Sequence, residues 1–402
     1  MRETGDGAAG ALRADDLIGR PDADRTGGVR GAVSGDGWRA LRSILPRLGF
    51  ILPAPGRADE DPRPLSRRWG RPSRPRHADG GAVGPARGVG GDGGFGFDRR
   101  VEAGGYAWWY LDAISDDGRN ALTVIAFVGS VFSPYYAAAR RRGRADPENH
   151  VGINAILYTP HGKYWAMTER GKATLDRGPN HLAVGPSAWS WCGDRLTIDI
   201  DEWTVPIPKR LRGRITVRPG PLFHLPINLH GNGRHVWRPI APCGRLDVTF
   251  DRPGLSWQGR AYIDMNAGSE PLEAGFTRWN WSRADGEEAT RIHYDVTERG
   301  GNAHGLALEY RCDGSAAPFA PSSLHPLPKT GWRVGGAARA AFGQWPDVER
   351  RLEDTPFYSR SLLVYRDPAG ASRAVHETVD LDRFRSRWVQ VLLPFKMPRR
   401  AG

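Results

Sequence analysis

Cysteine is scarce in this chain, lysine is missing from its first hundred residues, and no apolar run is long enough to cross a bilayer as a helix. Each shortage excludes something. The three cysteines, Cys192, Cys243 and Cys312, are an odd number, far apart, with no CxxC and no Cys/His cluster. A disulfide framework wants an even number at closer spacing. They are expected instead as small buried hydrophobes in a reducing compartment. The most apolar stretch, ALTVIAFVGSVF (121–132), is too short for a span and rich in β-formers. The N-terminus shows no uninterrupted apolar segment of a secretory signal. Phosphate loops, dinucleotide fingerprints, HExxH and GxSxG are all missing from the β body, and the glycine-rich 88–96 segment lacks the Lys-Ser/Thr and helix that a phosphate loop needs. These absences predict a cytoplasmic, soluble or peripherally bound protein with no cofactor and no metal site.

What the chain does have is arginine, glycine and tryptophan. Its 402 residues carry a formal net charge of +12 and 15 Trp. The first hundred residues hold about 18 Arg against about 13 acids, among Gly, Pro, Asp and Ala, and read as a disordered extension over 1–100. Within it, WRALRSILPRLGFILP (38–53) places Trp38, Leu41, Leu45 and Leu48 at helical spacing with Arg39, Arg42 and Arg47 between them. Pro46 would interrupt that helix. A basic amphipathic segment suits an anionic membrane surface, and equally suits docking on the body of the protein.

From residue 101 the texture changes to short alternating or apolar runs separated by turn signals such as SDDG, TPHG and RDPAG. Many short strands at close spacing predict an all-β sandwich or barrel. Three hundred residues of this texture exceed one eight-stranded barrel, so two tandem β domains are expected, 101–250 and 251–402. Because the arginine surplus sits in the extension rather than on an aromatic-laced β face, no nucleic-acid partner is expected.

The candidate chemistry lies on strands. In GRAYIDMNAGSEP (259–271), period two puts Tyr262, Asp264 and Asn266 on one face and Ala261, Ile263 and Met265 on the other. Aspartate is disfavoured in strands. RHVWRPIAP (234–242) places His235 and Trp237 on one side, and FTRWNWSRA (276–284) does the same for Trp279 and Trp281, which are the expected substrate-contacting rings. If the three strands face one cavity, a carboxyl and an imidazole stand inside an aromatic lining. Burial would raise the Asp264 pKa and keep a proton donor at neutral pH, and the rings would stabilise a cation. The same pattern fits plain core packing, with Asp264 as a turn residue and His235 as a satisfied core histidine. Glu270 and Glu273 lie near Asp264, but their place beside Pro271 makes a glycosidase-type carboxylate pair poor.

Several long motifs carry a resemblance. FVGSVFSPYYAAARRRG (127–143), DPENH (146–150), WAMTERG (165–171), LAVGPSAWSWCGDRLTIDIDE (182–202), PKRLRGRITV (208–217), HVWRPIAP (235–242) and YIDMNAGSEPLEAGFTRWNWSRA (262–284) resemble the carotenoid 1,2-hydratase family, also called hydroxyneurosporene synthase. The resemblance runs from about Gly105 to the end of the chain and does not reach the first hundred residues. It implies two tandem lipocalin-like β domains in a protein of a photosynthetic bacterium. It also implies cofactor-free addition of water across the terminal C1–C2 double bond of an acyclic carotenoid such as neurosporene or lycopene. In that family the position of Asp264 holds the acid, and those of His235, Trp237 and Tyr262 hold its companions. A membrane-borne hydrocarbon substrate further implies peripheral contact with the inner membrane. A polyene carrier that does no chemistry, and a Trp-rich carbohydrate-binding protein, are the alternatives.

Overall fold

The structure is a computed structural model that describes residues 94–400 apart from 342, 368 and 369. The 38–53 segment and nearly all of the expected 1–100 extension lie outside the described residues.

Two antiparallel sheets dominate. The larger begins with a meander, β1 (Tyr106–Ser115), β2 (Ala121–Val128), β3 (Val151–Thr159) and β4 (Gly162–Arg170). A second run follows, β5 (Leu175–Gly178), β6 (His181–Val184), β7 (Ser187–Cys192), β8 (Arg195–Trp203) and β9 (Arg210–Arg218). The short β10 (Ile227–Asn228), the long β11 (His235–Arg252) and β12 (Leu255–Gly268) complete it. The hydrogen-bonded order is β4-β3-β2-β1-β12-β11-β9-β8-β7-β6-β5, with β10 on β11. The sheet curls until β4 lies against β8, a half-barrel that does not close among the described residues.

The smaller sheet contains β13 (Phe276–Asp285), β14 (Ala289–Glu298), β15 (Ala303–Arg311), β16 (Ala316–Pro318), β19 (Pro346–Asp354), β20 (Tyr358–Asp367) and β21 (Gly370–Asp380), in the order β16-β15-β14-β13-β21-β20-β19. Between β16 and β19, β17 (Ser323–Pro326) and β18 (Ala337–Ala340) pair as a hairpin. The helices are short: α1 (Pro134–Arg141), α2 (Leu272–Gly275), α3 (Leu381–Arg385) and α4 (Arg387–Lys396). No helix among the described residues is long and apolar enough to cross a membrane.

Burial explains the sequence texture. In β1, Ala107, Trp109, Leu111 and Ala113 enter the core inside the curl, while Tyr106, Trp108 and Tyr110 face the smaller sheet. A strand covered on both sides reads as a continuous apolar run, hence YAWWYLDAI. By contrast β8 alternates, with Leu196, Ile198 and Ile200 inward and Thr197, Asp199 and Asp201 outward, as a strand with one wet face does. In β11 the register slips at Pro239 and again before Gly244. Proline has no N–H to give to a ladder, so the bulges fall there and bend the strand.

The all-β reading therefore holds. The change of sheet comes between Gly268 and Phe276, however, not near residue 250, which falls inside the β11–β12 hairpin. The expected buried cysteines are also corrected: Cys192 and Cys312 are exposed and Cys243 is half-buried, all as free thiols. Cys192 ends β7, Cys312 lies in the turn after β15, and Cys243 sits mid-strand at the second bulge of β11.

The sheets are tied by a buried ionic cluster. Asp112 of β1 accepts from Arg283 Nε of β13 at 2.9 Å and from Arg360 of β20. All three side chains are fully buried. Arg360 also pairs with Glu377 of β21, and Arg283 with Asp285.

Candidate active site

Asp264 lies on the face of β12 turned toward the smaller sheet, as period two predicts. Its Oδ2 accepts from Trp237 Nε1 at 2.8 Å and from Tyr262 OH at 2.8 Å. Trp237 reaches it diagonally across the ladder, being opposite Asn266. Tyr262 reaches it along its own strand, two residues away. Oδ1 is buried and has no hydrogen-bond partner among the described residues. Burial pushes the carboxyl from its ordinary 3.8 up to about 7, against the pull of the two donors toward the charged form. With both donors on Oδ2, the proton belongs on Oδ1. The result is a carboxylic acid about half protonated at neutral pH, with its acidic oxygen free.

The rings expected around it are there. Trp281 of β13 packs 5.3 Å from Tyr262 and 5.7 Å from Tyr110, and Trp237 packs 5.2 Å from Tyr294. Trp279 lies further along β13, 6.0 Å from Trp108. Thus Asp264, Tyr262, Trp237 and Trp281 form one cluster, and Trp279 a neighbouring one.

His235 is not part of that cluster. It pairs with Gly268, four positions along the ladder from Asp264, about 13 Å at the rise of a strand. Its Nδ1 lies 2.9 Å from Tyr106 OH and its Nε2 3.1 Å from Glu270 Oε1. The carboxylate can only accept, so Nε2 carries the proton and Nδ1 accepts from the tyrosine. Burial lowers the imidazole pKa to about 4, outweighing the opposing pull of Glu270. The ring is clamped by two glycines: a Cβ at Gly275 would stand 2.4 Å from Nε2, and one at Gly268 would stand 2.9 Å from Nδ1. This is a neutral, fixed imidazole. Glu270 is pushed up by burial, but Arg234 and His235 together hold it below its ordinary value, and Glu273 pairs with Arg140, so each carboxylate is engaged away from Asp264.

Beside the cluster a cavity of about 500 Å³ opens between the sheets. Its walls are mostly aromatic and aliphatic, with Trp108, Tyr110, Phe127, Ile156, Trp165 and Trp279 among them, and α4 along one side. Asp264 is not in the wall. Its cross-strand partner Tyr110 is, so the acid sits one strand behind the surface, screened by Tyr110 and Trp281. Tyr110 is anchored, donating to Glu377 Oε1 at 2.8 Å. The Trp281 indole N–H has no acceptor among the described residues.

The sequence reading missed Glu377 and Glu353. Both line the cavity, and burial pushes both carboxyls up against the pull of Arg360 and Lys163 respectively. The strand of Glu377, SRAVHETVDL, was visible as an alternating run and that of Glu353 was not, but only tertiary pairing puts Trp281, Glu377, Arg360 and Glu353 side by side on four neighbouring strands. Among the described residues no three His, Cys, Asp or Glu side chains come together to hold a metal ion.

Removing one donor tests the Asp264 environment. Tyr262→Phe takes away a bond that favours the carboxylate, so the Asp264 pKa rises. Any activity that needs the acid form should keep its alkaline limb but move it to higher pH. An unmoved limb would show that Asp264 does not set it.

Fold and site together define an all-β, lipocalin-like protein whose curled sheets enclose an apolar cavity beside a buried acid. Residues 124–402 match the family described as Carotenoid hydratase CrtC, and the chain belongs to it. Among its relatives are the acyclic carotenoid 1,2-hydratases of Thiocapsa roseopersicina, 45% identical with 100% of both chains covered, and Rubrivivax gelatinosus, 44% identical with the same coverage. That of Cereibacter sphaeroides is 36% identical over 69% of this chain and 99% of its own. The crystal structure of an AttH candidate from Nitrosomonas europaea covers 74% of this chain and 98% of its own, with a TM-score of 0.52 and 14% identity, a likeness of fold.

Proposed function

We propose that the protein hydrates the terminal C1–C2 double bond of acyclic carotenoids of the neurosporene and lycopene type, giving tertiary 1-hydroxy products, without a cofactor. The observation that carries this is Asp264 itself: a buried carboxyl pushed to about 7 with an unengaged oxygen inside a cage of rings. An alkene is a very weak base, so the reaction needs an undissociated acid and a prepared place for a cation.

In this reading the end of the polyene enters the apolar cavity and displaces Trp281, the gate ring that lacks a polar anchor. Oδ1 gives its proton to C2, the π pair forms the new C–H bond, and C1 becomes a tertiary cation. Tyr262, Trp237 and Trp281 face it, each worth about 0.5–2 kcal/mol. Water adds its oxygen to C1 and loses a proton to the Asp264 carboxylate, which restores the acid. His235, neutral and held between Tyr106 and Glu270, positions the Tyr106–Trp108 wall (ring centroids 5.0 Å apart) rather than the water. Thr123 and Asn154 line the cavity and give it polar points for water.

Glu377 supports a second reading, since it lines the cavity and Asp264 does not. Its Oε1 is committed to Arg360 and Tyr110, however, which leaves it the poorer donor. A cavity of about 500 Å³ falls in the range for a drug-sized ligand, about 300–1,000 Å³, and takes one end of a long polyene. The remainder stays in lipid, which makes the protein a peripheral membrane visitor.

The test is incubation of the full chain with lycopene in ¹⁸O-labelled or deuterated water. One ¹⁸O at C1 and one deuterium at C2 are expected. A shifted polyene absorption spectrum with no polar product would instead indicate a carrier.

A further inference from the structure

Helix α4, RWVQVLLPFK, has two apolar faces. Val389 and Leu393 turn inward and line the cavity. On the adjoining, outward side Trp388, Val391, Leu392 and Phe395, at positions i, i+3, i+4 and i+7, form an unbroken stripe that is 46%, 67%, 41% and 72% exposed. A surface helix ordinarily turns its polar face to water, and a contiguous exposed apolar patch marks an interaction site. The stripe is extended by Trp332, 46% exposed and stacked on Trp388 at 6.1 Å. Trp332, Leu392 and Phe395 also line the cavity, so the patch and the cavity share a rim.

The charge around the stripe is positive. Arg385 and Arg387 are exposed and make no ion pair among the described residues, and Lys396 closes the other end of the helix over Trp165 at 4.5 Å. Of the nearby acids, Asp380 pairs with Arg278 and Asp382 with Arg299, while Asp354 accepts from the backbone N–H groups of Gly331 and Trp332. An apolar helical stripe bearing Trp and Phe, flanked by unpaired arginines, has the composition of a helix lying in the interface of an anionic bilayer.

We propose that the α4 stripe is the surface by which this protein docks on an anionic lipid bilayer, so that a polyene end passes from lipid over Trp332, Leu392 and Phe395 into the cavity. This rests on the hydratase reading for what passes through, but not for the docking. A docked α4 places the cavity rim at the acyl boundary, where a long hydrocarbon can enter by one end while its remainder stays in lipid.

The experiment uses the full chain and vesicles of phosphatidylcholine with or without phosphatidylglycerol. Two variants avoid the cavity wall, Trp388→Ser with Val391→Ser, and Arg385→Gln with Arg387→Gln. Each pair should lower partition onto the anionic vesicles by at least about tenfold. Hydration of lycopene supplied in vesicles should fall in parallel, and hydration of lycopene supplied in detergent micelles should not. Unchanged partition in both variants overturns the proposal. So does unchanged partition accompanied by loss of self-association, which would assign the stripe to a second copy, or partition abolished only by deleting residues 1–93. If the wild-type chain yields no hydrated product from micelles while the partition differences stand, the hydratase reading fails and the docking surface does not.

Discussion

Asp264→Asn should reduce hydration by about 10²–10⁴-fold and leave the fold intact. The amide keeps the shape of the carboxyl, and its oxygen can still accept from Trp237 and Tyr262, but it has no acidic proton. Product formation from lycopene, measured beside a circular dichroism spectrum and a thermal melt, checks both halves. A folded variant that hydrates at near wild-type rate would sink the mechanism and move attention to Glu377→Gln.

The same carboxyl ties activity and stability to pH in a stated direction. With a pKa of about 7, the acid form is lost as pH rises through 7, so wild-type activity should fall on the alkaline side. For stability, the folded chain holds a proton on Asp264 between its ordinary 3.8 and about 7, where the unfolded chain has released it. Stability contributed by this group is therefore complete below 3.8 and is lost as pH climbs to 7. The loss is on the order of 4 kcal/mol by pH 8, because a charge is then forced into an apolar site. Asp264→Asn carries no such charge. It should melt above the wild type at pH 8, with the gap closing toward acid. An Asp264→Asn melt that tracks the wild type across that range would show the carboxyl to be better hydrated than its burial indicates.

Asp112→Asn should be the most destabilising isosteric change, at about 3–5 kcal/mol. Asp112 is the shared partner of Arg283 and Arg360, and none of the three touches water. Losing its charge leaves two guanidinium groups in the interior with Asp285 and Glu377 as their remaining carboxylate partners. An uncompensated buried charge costs far more than an ordinary lost hydrogen bond. Against a total stability of roughly 5–15 kcal/mol for a native domain, much of the margin disappears. Urea unfolding at fixed pH measures it, with Asp116→Asn in the exposed Arg245 pair as a control expected to change little. A loss near that of the control would mean the cluster does not hold the sheets together.

How far the sequence could be read depended on whether the relevant contacts were local. The two faces of β12 followed from period two, so Tyr262 and Asp264 were correctly placed together, and the Trp at 237 and 281 joined them because alternation puts each on an inward face. His235 failed the same test. It shares a face with Trp237, but its position along the ladder depends on register, and the β11–β12 register sets it opposite Gly268. Glu377, Glu353 and Asp112 gave no local signal. Asp112 is a lone acid in an apolar strand, Glu377 follows a histidine in β21, and Glu353 sits in the charged strand PDVERRLED; each acquires its meaning only when β1, β13, β19, β20 and β21 are brought to one interface. The helix α4 was not read from the sequence, and which of its apolar faces meets water depends on where the cavity lies.

Taken alone, the sequence determined the all-β class, the family motifs, the aromatic wealth and the acidic residue on the inward face of YIDMN. These are properties of alternation, turn chemistry and composition, which act over a few residues. The tertiary structure decided the rest: that Asp264 sits one strand behind the cavity wall, that the Trp281 indole N–H has no acceptor among the described residues while Tyr110 is tied to Glu377, and that His235 is held by Tyr106 and Glu270. It did so because strand register and the packing of one sheet on another fix which side chains meet, and neither is encoded within any single strand.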